Sequence, residues 1–249
     1  MRSALAVTLI SALLCGELRG DGFTLLSASI PPYSNSDSAN RGLCIDITQA
    51  LFEKAEWTLS TQFHPWARAQ KMAIGGDSFL ITPLTRTPER EPHYDWIVPL
   101  YRYDLQLISN DPTVPIEDPQ AMREVEICVL RESPAEYKLI ELGYERRLVV
   151  TEESKCLQLL ALGRSTAVMV HGWLSATYGY RQFGGDPRSL LPGAVFASSE
   201  IYIGSSHGAL SRAQRQRLER ALVELKAEGR YQAIIEHYRR QLLAPLTAE

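Results

Sequence analysis

The chain has 249 residues, with 26 Lys and Arg against 29 Asp and Glu, and a formal net charge of −3 at neutral pH. This balance argues against nucleic acid as a partner, because nucleic-acid-binding domains concentrate positive charge. It leaves a small ligand open, since one local pocket can oppose the average charge. The length fits one large domain or two small ones, at about 100–200 residues per domain.

The first residues have the pattern of a secretion signal. Arg2 precedes an uncharged, mostly apolar stretch from Ala4 to Leu14, and small and polar residues follow. A membrane span needs roughly 20 apolar residues, and Glu17 ends this stretch earlier. We therefore predict a signal peptide over residues 1–20 and a soluble mature protein in the periplasm. A membrane anchor and a lipid anchor on Cys15 are the alternatives.

The next predicted elements alternate between strand and helix. Period-2 and period-3.6 patterns of apolar residues distinguish the two types. Gly75 and Gly76 close the second helix. In chain order the elements are the strand GFTLLSAS, the helix GLCIDITQALFEKAEW, the strand LSTQFHP, the helix WARAQKMAIGG and the strand FLITPL.

The alternation restarts after YDWIVPLYRYDLQLISND. The second series is EVEICVL, SPAEYKLIELG, RRLVVT, KCLQLLALG, STAVMVH and WLSATYGYRQF, in which strands and helices alternate, and the strand EIYIGSS follows. Two amphipathic helices close the chain, and Ser211 with Gln214 forms a capping-box pattern before the first of them. Two such series indicate an α/β fold of two lobes with mainly parallel sheets.

Three cysteines lie beyond the predicted signal: Cys44, Cys128 and Cys156. In an oxidising compartment one pair can form a disulfide, and one thiol is left over. A Cys128–Cys156 bridge would close a loop of about 29 residues and stabilise the fold by roughly 3–4 kcal/mol in the chain-entropy model. We favour this bridge over three buried free thiols. No Cys and His spacing resembles a zinc site, and we expect no cofactor.

The motifs, in this order, resemble the family 3 solute-binding proteins, the periplasmic receptors for polar amino acids and related solutes. The resemblance covers nearly the whole mature chain and rests on IPPYSN…GLCIDITQALFEKAEW, TPLTRTPEREPHYDWIVPLY, LALGRSTAVMVH and ALVELKAEGRYQAIIEHY. It implies a type II periplasmic-binding-protein fold, in which two crossing strands join the lobes and the ligand binds in the cleft. Lobe 1 would comprise residues 21–106 and 203–249, and lobe 2 residues 107–202.

The segment FLITPLTRTPERE, Phe79–Glu91, interrupts an apolar strand with threonines and places Arg86 and Arg90 four residues apart. Ligands of α/β sheets bind beyond the carboxyl ends of strands, and a guanidinium meets a carboxylate with two parallel hydrogen bonds. By resemblance, Arg90 binds the ligand's carboxylate, with Thr85 and Thr82 beside it; a structural salt bridge is the alternative. Arg86 is expected to face solvent or to pair with a neighbouring glutamate.

The resemblance also implies ligand contacts outside this segment. Tyr33, after two prolines, would offer its ring to the ligand, and Trp66 would form a cleft wall, with Arg68 as a second anion contact. Packing in the core is the alternative for Trp66. Ser133 matches the serine of the family's second-lobe loop at a helix N-terminus, where N–H groups favour anions. It can serve as an N-cap as well.

His171 is the main departure from the family's pattern. An aspartate near this position commonly pairs with the ammonium group of an amino acid, and losing such a buried partner costs about 2–5 kcal/mol. Three alternatives follow: Glu132 supplies the carboxylate, the ligand lacks an α-amino group, or no ligand binds tightly. A metal-ligand or catalytic role for His171 is disfavoured, because no second His or Cys lies nearby in the sequence.

The favoured function is therefore a monomeric receptor, not an enzyme, that captures a small carboxylate-bearing solute for an ABC-type permease. One alternative is a cleft enzyme of the cyclohexadienyl dehydratase type, with Glu132 as the general acid. The other is a ligand-sensing partner of a signalling receptor.

Overall fold

The structure is a computed structural model that describes residues 22–37, 39–76, 78–170 and 172–243. The predicted signal peptide, residues 1–20, lies outside these ranges. In the part of the chain that is described, no helix is long and apolar enough to cross a membrane. Within the same ranges, no group of three or more His, Cys, Asp or Glu side chains could hold a metal ion.

Strands and helices alternate along the chain much as the hydrophobic patterns predict. The strands are β1 Gly22–Ser27, β2 Thr58–Phe63, β3 Phe79–Thr85, β4 Asp95–Ser109, β5 Ile127–Leu130, β6 Arg147–Val150, β7 Ala167–Val170 and β8 Leu191–Ser205. The helices are α1 Leu43–Lys54, α2 Trp66–Gly75, α3 Pro134–Glu141, α4 Glu153–Ala161, α5 Gly172–Gln182, α6 Arg212–Ala227 and α7 Arg230–Leu243.

The strands form one eight-stranded sheet in the order β2-β1-β3-β8-β4-β7-β5-β6. β1 pairs in parallel with β2 and β3, and β5 pairs in parallel with β6 and β7. The two 15-residue strands β4 and β8 run antiparallel to each other along most of their length. They join the two parallel groups, so we use lobe 1 for β1–β3 with their helices and lobe 2 for β5–β7 with α3–α5.

The predicted strand EIYIGSS is the last part of β8, which begins nine residues earlier at Leu191. The pattern analysis missed the earlier part because Pro192 and Gly193 interrupt the apolar alternation. At Gly193 an added Cβ would lie 2.4 Å from the carbonyl oxygen of Ile116, so the chain approaches another loop closely there. The lobe boundaries predicted at residues 106/107 and 202/203 fall inside β4 and β8 and stay a prediction.

A disulfide joins Cys128 in β5 to Cys156 in α4, as predicted, and Cys44 is a buried free thiol. The disulfide lies in the smaller of two apolar cores, between the lobe 2 sheet and helices α4 and α5. The disulfide therefore links β5, the strand that precedes the Ser133 loop, to helix α4.

The two C-terminal helices pack against α1 in lobe 1. The Tyr238 hydroxyl in α7 donates to Asp46 and accepts from the backbone N–H of Gly42, just before α1. Gly42 has φ +100°, and a Cβ there would lie 2.5 Å from the Cα of Ser34. Only glycine allows this close approach. It fixes the loop that carries Tyr33 against the start of α1.

Candidate functional site

Arg90 lies at the junction of the two lobes. Its side chain is buried, with the residue 3% exposed. Nη1 donates to the carbonyl oxygen of Thr85 at the end of β3 (3.1 Å), and Nη2 donates to the carbonyl oxygen of Glu132 after β5 (2.6 Å). One guanidinium therefore bridges lobe 1 and lobe 2 at the carboxyl ends of two strands, where the sequence predicts the ligand.

The charge of Arg90 is not balanced by a carboxylate within the described residues. Its hydrogen bonds there go to backbone oxygens, no carboxylate forms an ion pair with it, and Nε is buried with no hydrogen-bond partner. Burial lowers the pKa of Arg90, because desolvation penalises the charged form. A buried, unpaired charge is costly unless an opposite charge joins it. The site is therefore electrostatically suited to an anion.

A second buried donor lies close to Arg90. The hydroxyl of Tyr94 has no hydrogen-bond partner among the described residues. Burial raises the pKa of Tyr94 to about 12, an increase that the charge of Arg90 opposes. The phenol is therefore a neutral hydroxyl at physiological pH and can donate to an anion. Sequence reasoning missed Tyr94, because an aromatic residue before a strand is typical of an ordinary core.

Aromatic rings from both lobes face the guanidinium of Arg90. Its Cζ lies 5.7 Å from the ring centroid of Trp66 in α2 and 5.8 Å from that of Tyr137 in α3. Cation–π attraction is significant at such distances when the cation is desolvated. Trp66 is buried, which agrees with the alternative of core packing, and its role as a cleft wall stays a prediction. Tyr137 was not singled out from the sequence.

The predicted threonine and tyrosine contacts are all buried, and both threonine hydroxyls already have partners. Thr85 Oγ1 lies 2.7 Å from the hydroxyl of Tyr103, and Thr82 Oγ1 donates to the carbonyl oxygen of Tyr202 in β8 (3.0 Å). Tyr33 is fully buried, and its ring centroid lies 6.2 Å from that of Tyr103. Their ligand contacts stay predictions.

Ser133 caps α3, since its hydroxyl accepts from the backbone N–H of Glu136 (3.2 Å). The cap is therefore present, and the ligand contact of Ser133 stays a prediction. The preceding residue, Glu132, has φ +54°, in the left-handed region that favours glycine. This conformation accompanies the hydrogen bond from Arg90 to the Glu132 carbonyl.

His171 lies outside the described residues, so its predicted ligand contact is not placed. The structure does place another carboxylate at the junction, that of Glu153 in the first turn of α4. Glu153 is 1% exposed, and its Oε2 accepts from the hydroxyl of Ser175, 2.9 Å away. Glu153 sits in a polar-looking turn, ESK, and no local signal indicates that it is buried.

The remaining arginines of the prediction are exposed. Arg86 pairs with Glu91 through two hydrogen bonds, Nε to Oε2 at 2.8 Å and Nη2 to Oε1 at 2.5 Å. This is one of the two arrangements expected for it. Arg68 lies on the exposed side of α2. Of the three arginines considered from the sequence, Arg90 alone is buried at the junction.

A cavity of about 370 Å³ adjoins this junction and has walls from both lobes. Lobe 1 supplies the loop after β1 and the segment from Phe63 to Trp66, and lobe 2 supplies Leu130, Thr151 and Glu152. Its volume is within the usual range for small-molecule sites.

These features define a class of protein: two α/β lobes on one sheet, joined by two crossing strands, with flanking helices and a buried cation between them. A family model described as bacterial extracellular solute-binding proteins, family 3, matches residues 25–241. The chain belongs to this family.

Solved structures with the same fold differ in role. The chain is similar to a histidine kinase sensor domain with similarity to periplasmic binding proteins (TM-score 0.78, 19% identity, 88% of this chain and 96% of that one). It is also similar to an ancestral arginine-binding protein bound to arginine (0.75, 18%, 88% and 99%). A third is an ancestral amino acid-binding protein described as a precursor of cyclohexadienyl dehydratase (0.72, 17%, 87% and 94%). No curated protein sequence matches the chain.

Proposed function

We propose that this protein captures a small carboxylate-bearing solute, an amino acid or a related compound, in the cleft between its lobes, and releases it chemically unchanged. The observation that carries the proposal is the buried guanidinium of Arg90, whose Nε has no partner among the described residues. The unpartnered hydroxyl of Tyr94 supports it, because two donors then converge on one anion.

Closure of the lobes follows from the same contacts. A solute shifts a two-state equilibrium by its difference in affinity for the two states. An anion held by Arg90 from lobe 1 and by the Glu132–Ser133 loop from lobe 2 contacts both lobes only when they are close. Such a solute stabilises the closed form, in the manner of hinge closure around ligands.

The partner in this proposal is an ABC-type permease in the membrane, to which a monomer in the periplasm presents the closed form. Family membership and the signal-like pattern in residues 1–20 support this assignment. A signalling receptor as partner is the competing possibility. Capture of the purified permease by the solute-loaded protein, and no capture by the solute-free protein, is the result expected.

Binding itself is tested with Arg90→Ala and a matched control, Arg86→Ala. A thermal-shift screen of amino acids, dicarboxylates and dipeptides identifies the solute, because a ligand of the native state raises the melting temperature. Calorimetry then gives the affinity. Losing one side of a buried charge pair costs about 2–5 kcal/mol, so Arg90→Ala should weaken binding at least about 30-fold.

Arg86→Ala should keep the wild-type affinity, because Arg86 is exposed and pairs with Glu91 on the surface. Arg90→Lys should bind with intermediate affinity, since it keeps the charge and loses the planar pair of donors. Circular dichroism verifies the fold of each variant. Unchanged affinity in a folded Arg90→Ala protein would remove Arg90 from the site, and turnover of prephenate or arogenate by the wild type would show an enzyme instead.

A further inference from the structure

His207 lies in the loop between β8 and α6 and contacts the segment that leads into β4. Its Nδ1 is 3.0 Å from Oδ1 of Asp95, and its Nε2 is 3.0 Å from the carbonyl oxygen of Pro92. An ionised carboxylate and a carbonyl oxygen accept hydrogen bonds and cannot donate them. A neutral imidazole has one N–H group, whereas the imidazolium has two. The geometry of this pair of hydrogen bonds, which we call the His207 contact, therefore fits the protonated ring.

Charged groups on two neighbouring elements act on His207 in opposite directions. The carboxylate of Asp95 in β4 pairs with it, and Arg215 in α6 pairs with the same carboxylate. The hydrogen bonds to Asp95 and to the Pro92 carbonyl raise the pKa of His207, and the charge of Arg215 opposes this increase. The acidic partner outweighs the basic one, so protonation of the ring is favoured.

The His207 contact restrains the backbone next to Arg90. Pro92 belongs to a short 3-10 turn, Glu91–His93, that follows Arg90 directly. The backbone N–H of His93 donates to the carbonyl oxygen of Arg90 (3.0 Å), so the peptide group of the arginine is part of the turn. A change at Pro92 is therefore transmitted to the buried guanidinium through three residues of hydrogen-bonded chain.

The ionisable side chains of the turn itself have other surroundings. Glu91 forms its ion pair with Arg86 on the surface, and His93 is exposed. His207 reaches the turn through the backbone carbonyl of Pro92, so its contact does not depend on either side chain.

Loss of one proton from His207 breaks one of the two hydrogen bonds. The remaining proton stays on Nδ1, because the charged carboxylate of Asp95 is a stronger acceptor than a carbonyl oxygen. Nε2 then has a lone pair in place of its N–H group and can no longer donate to Pro92. The side chain of His207 is 61% exposed, so the proton exchanges with solvent while the protein stays folded.

The direction of the pH effect follows from the raised pKa of His207. The stabilisation that the imidazolium supplies is fully present below the ordinary pKa of histidine, about 6.5. It is lost as the pH rises through the higher pKa of the folded protein. The His207 contact is therefore complete on the acidic side of this pKa and half lost on the alkaline side.

We propose that His207 is a pH-sensitive switch, whose protonated ring holds the turn after Arg90 against the start of β4 and whose neutral ring releases it. The switch is a property of the solute-free protein. Its consequence for affinity rests on the proposed function: the turn has Arg90 at one end and Tyr94 at the other, and donors that are less ordered bind an anion more weakly.

Two measurements on the solute-free protein test the switch. The NMR signal of the His207 Cε1 proton, assigned with His207→Gln, should titrate with a midpoint above the ordinary value of about 6.5. Amide exchange at Arg90, Glu91 and His93 is then measured about 1.5 pH units below and above this midpoint and corrected for the intrinsic exchange rate. Protection should be at least about twofold higher on the acidic side, which corresponds to a weak hydrogen bond.

Three variants separate the switch from a general effect of pH. His207→Gln donates from one nitrogen at every pH, so its turn should be weakly protected on both sides of the midpoint. His207→Arg keeps its charge and several donors throughout, so its turn should stay protected on both sides. His93→Gln is the matched control, since it removes an exposed imidazole from the same turn. It should keep the pH dependence of the wild type.

A midpoint for His207 at or below the ordinary value overturns the switch. Equal protection on both sides of the midpoint in the wild type also overturns it, as does an unchanged pH dependence in His207→Gln. Acetate, whose charge is constant over this range, then probes the carboxylate site by NMR titration. Its affinity should fall as protection falls in the wild type and stay constant in His207→Arg.

Acetate affinity that stays constant while protection changes overturns the link between the switch and binding. Acetate that fails to bind at either pH counts against the proposed function, and the exchange measurement still decides the switch. The two failures are therefore distinguishable.

Discussion

At the scale of single residues, the environment of Arg90 explains why this position suits a ligand better than a salt bridge. An arginine that stabilises a fold is normally paired, whereas Arg90 contacts two carbonyl oxygens and two aromatic rings. The structure thereby keeps a cation desolvated, which strengthens every electrostatic contact it makes. Burial also makes a polar group without a hydrogen-bond partner unfavourable, and the hydroxyl of Tyr94 is such a group among the described residues.

Tyr94→Phe separates binding from stability. Removal of a buried hydroxyl without a partner should leave the free energy of unfolding unchanged or raise it, since a desolvation penalty of about 1–3 kcal/mol is relieved. Solute affinity should fall, because one donor to the anion is lost. Urea denaturation and calorimetry measure the two effects. Tyr144→Phe is the control, and it should lower stability because the Tyr144 hydroxyl donates to the carbonyl of Pro119 (2.6 Å).

If Tyr94→Phe leaves the affinity intact, Tyr94 has no role in binding. If it lowers stability as much as Tyr144→Phe does, the Tyr94 hydroxyl has a partner in the folded protein. The contrast is informative because both changes delete one oxygen atom from a buried tyrosine.

Sequence reasoning found the residues whose chemistry depends on a local pattern and missed those brought in by the fold. Arg90 follows a strand within a recognisable turn, so its position could be predicted. Tyr94, Tyr137 and Glu153 come from three separate segments of the chain, and only tertiary packing brings them to the junction. The charge on Glu153 even favours the opposite expectation, because acidic residues in a first helical turn are usually exposed.

Among the secondary-structure elements, sequence patterns predicted those features that depend on residues close together in the chain, such as helix caps. The Ser211–Gln214 capping box is present at the start of α6, with both reciprocal hydrogen bonds. The full length of β8 was not predicted, because its early residues gain their partners from β4, far away in the sequence. Pairing between strands that are distant in the sequence is not visible in the hydrophobic pattern of either strand alone.

Removal of the Cys128–Cys156 disulfide should lower the stability of the protein. A Cys128→Ala/Cys156→Ala variant should lose about 3–4 kcal/mol of unfolding free energy in the chain-entropy model, since the bridge spans a sequence separation of 28. Denaturant titration measures the loss. Protein produced from residue 21 onward should titrate one thiol when unfolded without reductant and three after reduction. Cys44→Ala is the control, and it should titrate none before reduction; three thiols without reductant would refute the bridge.

At the scale of the whole molecule, helix α5 connects lobe 2 to lobe 1 along one of its faces. Ser175 Oγ lies 2.9 Å from the carbonyl oxygen of Pro31, Tyr178 OH accepts from Asn40 (2.6 Å), and Arg181 Nη1 donates to the carbonyl of Gln241 in α7 (2.9 Å). The three α5 residues are spaced three apart, so they lie on neighbouring turns of the same side.

Loosening these contacts should favour separation of the lobes. Tyr178→Phe with Arg181→Ala removes two hydrogen bonds, each worth about 0.5–1.5 kcal/mol. We expect a larger radius of gyration in small-angle X-ray scattering and faster amide exchange in residues 28–37. Arg188→Ala is the control, since Arg188 pairs on the surface with Asp186. Identical scattering and exchange in the double variant would show that α5 does not restrain the lobes.

The hydrogen bond between Arg90 and the Glu132 carbonyl has a consequence for the affinity of the proposed solute. A solute that takes this nitrogen of Arg90 competes with an acceptor on the same chain. The apparent dissociation constant is therefore the intrinsic one divided by the fraction of molecules in which the nitrogen is free of the Glu132 carbonyl. In the proposed function, substitutions that strengthen or weaken this internal hydrogen bond would then change the solute concentration at which half of the protein is occupied.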